Sequence, residues 1–599
     1  MGGAHTGTRS RTVTAQAPPA RWGERLAAAA PGLVALSSYR ARWLRKDLTA
    51  GLVLTALLVP QGMAYAELAG LPAITGLYTS ILCLVGYAVF GPSRILVLGP
   101  DSSLGPMIAA TILPLVGANG DPARAVALAS ALALLSGVIT MVAGLSGFGF
   151  VADLISKPTM IGYMNGLALT ILVGQLPKLF GFSVDASGFL GEAVGFVRGV
   201  LDGATVPPAL MVGGLGLLLI LALQRTLPKL PAILVVVVLS IGVTAGLGLD
   251  ERGVDVVGVL PQGFPPLTIP AVGLSDVALL LAGALGIAVV SLADTISTAS
   301  AFAARAGRTV DGGREMTGIG AANIAAGLFQ GFPVSTSGSR TAVAEQTGAK
   351  SQVTGLVGAV AITLILVFAP GLLRDLPQPT LAAIVIVASF SLADLRGTMR
   401  LHRLRRTEFA LSVVAFLGVV ALGVLPGIAV AVALSIGNVF RRAWWPYQAV
   451  LGRVPGVPGL HDVRSYPQAE LLPGCVVFRF DAPLFFANAR TFREQVTVLT
   501  RPDPPPTWVI VAAEPITDVD TTAADMLHDL DVTLNARGVH LVFAEMKDPV
   551  REKIDRYELT RTIDPSHFFP TVEAAVAAFR AATGADWRSA REPDSGGPR

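Results

Sequence analysis

Charge is what this chain has least of: 14% of its 599 residues are Asp, Glu, Lys or Arg, against 52% hydrophobic. A mean hydropathy of +0.63 excludes an ordinary water-soluble enzyme, in which about a quarter of the residues are charged. Cysteine is nearly missing too. Cys83 and Cys475 fall in regions of opposite character, so no disulfide framework is expected. The chain has no Cys/His set with zinc spacing and no Gly-rich or Walker-type phosphate loop. That argues against an ATP-driven pump, and neither an enzyme nor a cofactor finds support. The net charge of +4 is small; its placement matters more than its size, and no nucleic-acid partner is expected. Residues 1–30 lack the apolar stretch of a signal peptide and read as a disordered cytosolic arm.

Long apolar runs recur up to about residue 440 and then stop. The expected organisation is a membrane domain over 31–445, a proline-marked linker over 446–463, a small cytosolic α/β domain over 464–582 and a disordered tail over 583–599. In the membrane domain the spacing predicts spans at 48–69, 72–90, 95–116, 124–146, 157–176, 208–224 and 231–248. A second set follows at 276–300, 313–329, 334–348, 352–371, 379–393, 406–424 and 426–441. The third member of each set, 95–116 and 334–348, is broken by Gly, Pro and hydroxyl residues. This correspondence predicts an α-helical polytopic membrane protein of fourteen spans, built as a seven-plus-seven inverted repeat. An odd number of spans gives the halves opposite topology. The loop charges agree: Arg94, Lys157, Arg225, Arg305, Arg308, Lys350 and Arg396 to Arg406 gather on one side, which places both termini in the cytoplasm of a plasma (inner) membrane protein.

The broken spans carry the chemistry. Gly99-Pro100-Asp101-Ser102-Ser103 precedes only half a helix, and Gly331 to Arg340 precedes another. Two half-helix N-termini near the midplane hold an anion with free N–H groups and dipole ends. Ser337, Gly338, Ser339 and Arg340 belong to the second tip. An arginine at membrane depth faces a cavity or pairs with an acid, here Asp101, Asp294 or Glu345. Gln61 and Tyr65 share one face of the first span, where helix–helix contact is the alternative. Asp294 and Thr298 share a face of the eighth, as an oxygen site for Na⁺ or as a partner for Arg340. Asp101 can cap its half-helix, but a fixed negative charge there would repel an anion. That suggests an acid which is protonated when anion is bound, hence H⁺ coupling. Glu67, near the outer end of the first span, reads as interfacial.

The stretches VPQGMAYAELAGLPAITGLYTS (59–80), FGPSR (90–94), LGPDSS (98–103) and GFPVSTSGSRTAVAEQTGAKSQ (331–352) resemble the sulfate permease (SulP) family of anion transporters. The C-terminal domain resembles the STAS module those proteins carry. The likeness runs from about 31 to 582. It implies core and gate subdomains built from both repeats, an anion site between the third and tenth spans, elevator-type alternating access and a homodimer. It also favours Gln61 and Tyr65 as substrate contacts. In sodium-coupled bicarbonate members such an Asp and Thr help build the cation site, which Ser335 and Thr336 could complete here. Thr521 matches a phosphorylatable position of STAS proteins, although a simple N-cap role explains its presence fully. The expectation is a secondary transporter of a small oxyanion, sulfate first, coupled to H⁺ or Na⁺, with membrane lipids and a cytosolic partner at the STAS domain as further contacts. A bicarbonate or dicarboxylate carrier, an uncoupled exchanger or channel, and a membrane sensor are the other readings.

Overall fold

The computed structural model describes residues 30–589 apart from 118–119, 148–155, 185, 187, 228–229 and 306. The expected N-terminal arm lies outside them but for Ala30, as does the tail beyond Ser589. The chain divides into two compact units at Ser435/Ile436.

The first unit is helical. A short α1 (Pro31–Ser37) leads to α2 (Leu44–Leu68) and α3 (Ala73–Phe90), then to the two-residue strand β1 (Leu98–Gly99) and the half-helix α4 (Gly105–Val116). Next come α5 (Pro122–Leu145), α6 (Lys157–Phe180), α7 (Gly188–Leu201), α8 (Pro207–Thr226) and α9 (Ala232–Leu247). The second half runs through α10 (Leu274–Arg305), α11 (Gly312–Leu328), strand β2 (Ser335–Thr336) and half-helix α12 (Gly338–Thr347). It ends with α13 (Val353–Phe368), α14 (Gln378–Leu392), α15 (Leu395–Leu404), α16 (Arg406–Leu422) and α17 (Val424–Trp444). Pro106, Pro122, Pro158 and Pro207 sit in first turns, where a missing N–H removes no helical bond.

Each expected span coincides with one of these elements, the largest mismatch being α10, which runs on to Arg305. Among the described residues, eight helices are long and apolar enough to cross a membrane, and α4, α9 and α13 are shorter apolar helices. Two helices were read as loops. Neither α7 nor α15 has a buried residue. In α15 the arginines at 396, 400 and 403 mask a one-sided apolar pattern; on a helix they all fall on one charged face.

The packing shows the repeat. Helix α2 packs on α13, and its counterpart α10 packs on α5. Likewise α6 packs on α16, and α14 packs on α8. The pairs α3–α11, α6–α14 and β1–β2 map onto themselves when the halves are exchanged. A core of α1–α5 with α10–α13 therefore stands beside a gate of α6–α9 with α14 and the helices after it. Glycines set the closest approaches. A Cβ on Gly76 would lie 1.9 Å from the Gly62 carbonyl oxygen, and one on Gly162 would lie 1.9 Å from that of Ser412. Small residues let helices approach without a hydrophobic driving force between them.

In the second unit a mixed sheet is built from β3 (Gln448–Arg453), β4 (Leu460–Asp462), β5 (Glu470–Leu471), β6 (Cys475–Phe480), β7 (Trp508–Ala512), β8 (His540–Ala544), β9 (Phe568–Phe569) and β10 (Arg588–Ser589). The order is β10-β5-β3-β6-β7-β8-β9, with β6 to β9 parallel and β3 antiparallel to β6. Helices α18 (Ala489–Leu499), α19 (Thr521–Asn535) and α20 (Asp548–Arg556) contribute Phe492, Leu527 and Ile554 to one core; α21 (Val572–Thr583) covers the other face with Phe579. Residues 446–463, read as linker, thus supply β3 and β4. The prolines at 455 and 458 sit in the turn between them, not in a flexible tether. The tail contributes β10. Leu484 to Phe486, read as strand-like, makes one bridge, Leu484 to Val519. The cap of α19 is Asp520, whose carboxylate accepts from Ala523 N at 2.8 Å and from Phe486 N at 2.8 Å; Thr521 is exposed at the first helical position.

Two expectations follow from this packing. Gly76→Ala drives a methyl into backbone and should abolish the monodisperse, folded carrier on size exclusion in detergent, whereas Gly214→Ala, with nothing within 4 Å, should elute as wild type. Asp520→Ala should lower the stability of the soluble unit in the intact protein by about 1–2 kcal/mol, while Thr521→Ala stays within about 0.5 kcal/mol, measured by thermal unfolding.

Candidate functional site

The two sequence breaks meet. Leu98 pairs with Thr336 and Gly99 with Ser335 in antiparallel register. Ser337 N donates to Val97 O at 3.1 Å, and Val97 N donates to Thr341 Oγ1 at 3.1 Å. This short ladder satisfies the extended backbone away from water, as irregular backbone in a membrane domain requires. It also fixes the tips of α4 and α12 against each other. Val334 is held in the same way: its N–H donates to Asn323 Oδ1 at 2.9 Å and its carbonyl accepts from Ser291 Oγ at 3.0 Å.

Arg340 sits in the first turn of α12 and is 2% exposed. Its Nη1 donates to Pro100 O at 2.7 Å, while Nε and Nη2 have no hydrogen-bond partner among the described atoms. Gly99 makes room for it: a Cβ there would stand 3.3 Å from Nη2. Asp101 Oδ2 lies 3.9 Å from Nη2, at the limit of an ion pair. Glu345 is engaged elsewhere, by Arg305 at 3.5 Å. A buried guanidinium with unsatisfied donors is unfavourable by several kcal/mol unless a group fills the gap. An oxyanion does so with matching geometry.

Asp101 folds onto its own helix tip. Its Oδ1 accepts from Ser103 N at 2.9 Å and from Ser103 Oγ at 2.7 Å. The same hydroxyl reaches Asp294 Oδ2 at 3.3 Å. Ser103 therefore bridges two carboxylates from two helices. Tyr65 is buried, and its hydroxyl interacts with Ser102 in the field of Asp101 and Arg340. Gln61 is half-buried one turn earlier. Ser337 caps α12, accepting from Arg340 N at 3.4 Å and lying 3.0 Å from Ser339 Oγ. Gly338 and Ser339 are open to solvent, and Thr298 Oγ1 stands 3.9 Å from where a Gly338 Cβ would be.

The expected sodium ligands divide. Ser335 Oγ is buried without a partner, and Thr336 Oγ1 takes Thr295 Oγ1 at 3.4 Å, not Thr298. No group of three or more His, Cys, Asp or Glu that could hold a metal occurs among the described residues.

The residues that sequence reasoning missed are Ser103, Thr295, Thr341 and Tyr163. Ser103 was legible, because an Asp with a hydroxyl residue two places on is a turn signature. Tyr163, from α6, is fully buried beside Asp294 with no partner for its hydroxyl; nothing local marks it.

A family model described as the sulfate permease family matches residues 44–415, and a STAS domain model matches 466–575. The chain belongs to the sulfate permease family. That family is one of membrane anion transporters, not of enzymes. A probable sulfate transporter of Mycobacterium tuberculosis is 41% identical over 552 residues, 92% of this chain and 98% of its own. The probable sulfate transporter 4.2 of Arabidopsis thaliana is 30% identical, with 89% of this chain and 81% of its own covered. Murine Slc26a9 in its inward-facing state superposes with a TM-score of 0.86 at 24% identity, covering 96% of this chain and all of that one. The transmembrane domain of the cyanobacterial bicarbonate transporter BicA gives 0.56 over 67% of this chain. These last two likenesses establish the fold.

Arg340→Gln and Arg340→Lys should each reduce anion uptake into proteoliposomes at least about tenfold, from loss of a charge-assisted contact worth about 1.5–3 kcal/mol. Lysine keeps the charge but not the fork. Normal uptake by a folded Arg340→Gln carrier would remove Arg340 from the site.

Proposed function

We propose that this protein is a secondary transporter of a small inorganic oxyanion, sulfate first, which it carries across the plasma membrane by elevator-type alternating access. The observation that carries this reading is the pair of unpartnered donors on buried Arg340, set between two half-helix tips. Sulfate stands first because the similar mycobacterial and plant proteins are described as probable sulfate transporters. Bicarbonate and small dicarboxylates fit the same donors. The loop charges support fourteen crossings with both termini cytoplasmic, and the family resemblance supports a homodimer. Exposed Thr521 on α19 is the position to examine for phosphorylation or a partner.

Coupling to H⁺ is the form of transport the geometry favours. Ser103 has one proton to donate and faces two carboxylates. The second contact becomes a hydrogen bond when one carboxyl carries its own proton. That proton also removes a negative charge beside the anion. The unpartnered Ser335 hydroxyl near Thr295 and Thr336 supports Na⁺ as a second reading.

Labelled sulfate uptake should rise as external pH falls, with protonation of the Asp101–Asp294 pair lifting the charge that opposes entry. Asp101→Asn should keep sulfate counterflow but lose this dependence; an active Asp101→Asn carrier with wild-type pH dependence rejects the role of Asp101. A competitor panel of bicarbonate, selenate and dicarboxylates identifies the anion. A response to a sodium gradient that Ser335→Ala abolishes would favour the sodium reading, and no response to either gradient would leave an uncoupled exchanger or channel.

A further inference from the structure

We propose that Glu67 is a positioning residue of the transport cycle, the latch that holds the outer ends of core and gate together while the anion site faces the other way. This rests on the alternating-access reading above. Glu67 ends α2 at the opposite extreme from Arg45 and Lys46, so it belongs to the outer side of the core. Gln378 Nε2, from the first residue of α14, donates to Glu67 Oε1 at 2.7 Å. Lys178 Nζ, from the last turn of α6, reaches the Glu67 carbonyl oxygen at 3.4 Å. Both donors belong to the gate. Among the described residues, these two are the side-chain hydrogen bonds that join a core helix to a gate helix. Tyr163 of α6 also lies beside Asp294 of α10, but its hydroxyl has no hydrogen-bond partner.

The gate side of the latch is braced. Gln378 N donates to Asp255 O at 2.8 Å, and Val257 N donates to Leu376 O at 2.9 Å. Gln378 is therefore tied to the connection between α9 and α10, which is itself bonded to core helix α13 by Gln262 Nε2 donating to Val367 O at 2.7 Å. Next to the latch is a cavity of about 570 Å³ lined by Leu71, Ile74, Val257 and Leu260, in which Glu67 and Lys178 are the only charged groups. On the alternating-access reading, burial at this end of the site and exposure at the other fit a carrier closed to the outside. Tyr65, Ala66 and Ala69 are buried, whereas Ser297, Ser300, Ala301 and Ala304 on α10 and Gly338, Ser339 and Gln346 on α12 are exposed, leading away from Asp294 and Arg340 towards the positive loops. A polar contact made only when the outer path is shut must break when it opens. Its strength then sets the share of carriers that face outward.

The test measures half-saturation for sulfate from the outer and inner sides of oriented proteoliposomes. An apparent affinity equals the intrinsic one multiplied by the fraction of carriers competent to bind. Glu67→Ala and Gln378→Ala should each lower the external half-saturation about three- to tenfold and raise the internal one, with folded protein still eluting as a single peak. Glu67→Gln retains an acceptor for Gln378 and should keep the wild-type ratio within about twofold. A merely structural role would reduce the amount of carrier without moving the ratio, and an unmoved ratio in both alanine variants overturns the proposal. A second readout removes dependence on those variants. With Cys83 and Cys475 replaced by alanine, a short thiol-reactive cross-linker joining Glu67→Cys to Gln378→Cys should stop uptake, and cleaving it should restore at least half. Unimpeded uptake with the cross-link in place also overturns the latch. A wild-type protein that moves no anion of the panel rejects the transport reading instead.

Discussion

The membrane unit keeps Arg340 out of water with two of its nitrogens lacking a hydrogen-bond partner and Asp101 at the limit of an ion pair. A guanidinium at membrane depth is tolerated when its donors are met or when it lines a polar cavity. Here one donor is met, by the Pro100 carbonyl, and two are not. The β1–β2 ladder exists to hold that arrangement. Without it the tips of α4 and α12 would expose backbone groups to an apolar surrounding. Fixing the ladder fixes the two tips and Arg340 relative to one another.

The repeat explains why the tips face each other at all. Two copies in the same sense would point both half-helices the same way, adding a dipole at one end only. An inverted second copy lets α4 and α12 start from the same region, at the β1–β2 ladder, and run apart. The exchange pattern in the packing, α2 on α13 and α10 on α5, places both half-helices within one core body. An anion bound as proposed would travel with Arg340 if that body moved. The gate, α6 with α14, α8 and α16, supplies Tyr163 and the partners of Glu67 but neither half-helix.

What could be read from the residues divides along physical lines. Long apolar runs and the Gly-Pro breaks were legible because period and length report burial directly, and the fourteen segments are where the spacing places them. Helix α15 was not, since four basic residues in ten outweigh a one-sided apolar pattern in any window average. Strand β3 was taken for linker because nearby prolines suggested a tether; pairing with β6 across 25 intervening residues is a tertiary fact with no local signature. Within the site, Asp101, Asp294 and Arg340 announced themselves as charges in apolar sequence. The Ser103 bridge did not, because a serine gains meaning only from what stands opposite it. Glu67 was recognised as interfacial, yet its partners lie 111 and 311 residues away.

If transport is coupled as proposed, the charge count inside the pocket ties that coupling to binding. Two helix tips supply about half a positive charge each, and Arg340 adds one. Asp101 and Asp294, both ionised, cancel that sum, and a doubly negative oxyanion would then enter a pocket with no net attraction. One proton on the pair, or one cation among its oxygens, restores about one positive charge in a region of low effective dielectric, where a unit charge at 4 Å is worth about 4 kcal/mol at an effective dielectric of 20. That is close to a thousandfold in affinity. On the proposed coupled reading, the two acids would convert the arrival of a cation into the ability to hold the anion, and a carrier without them would bind its cargo whether or not a driving gradient was present.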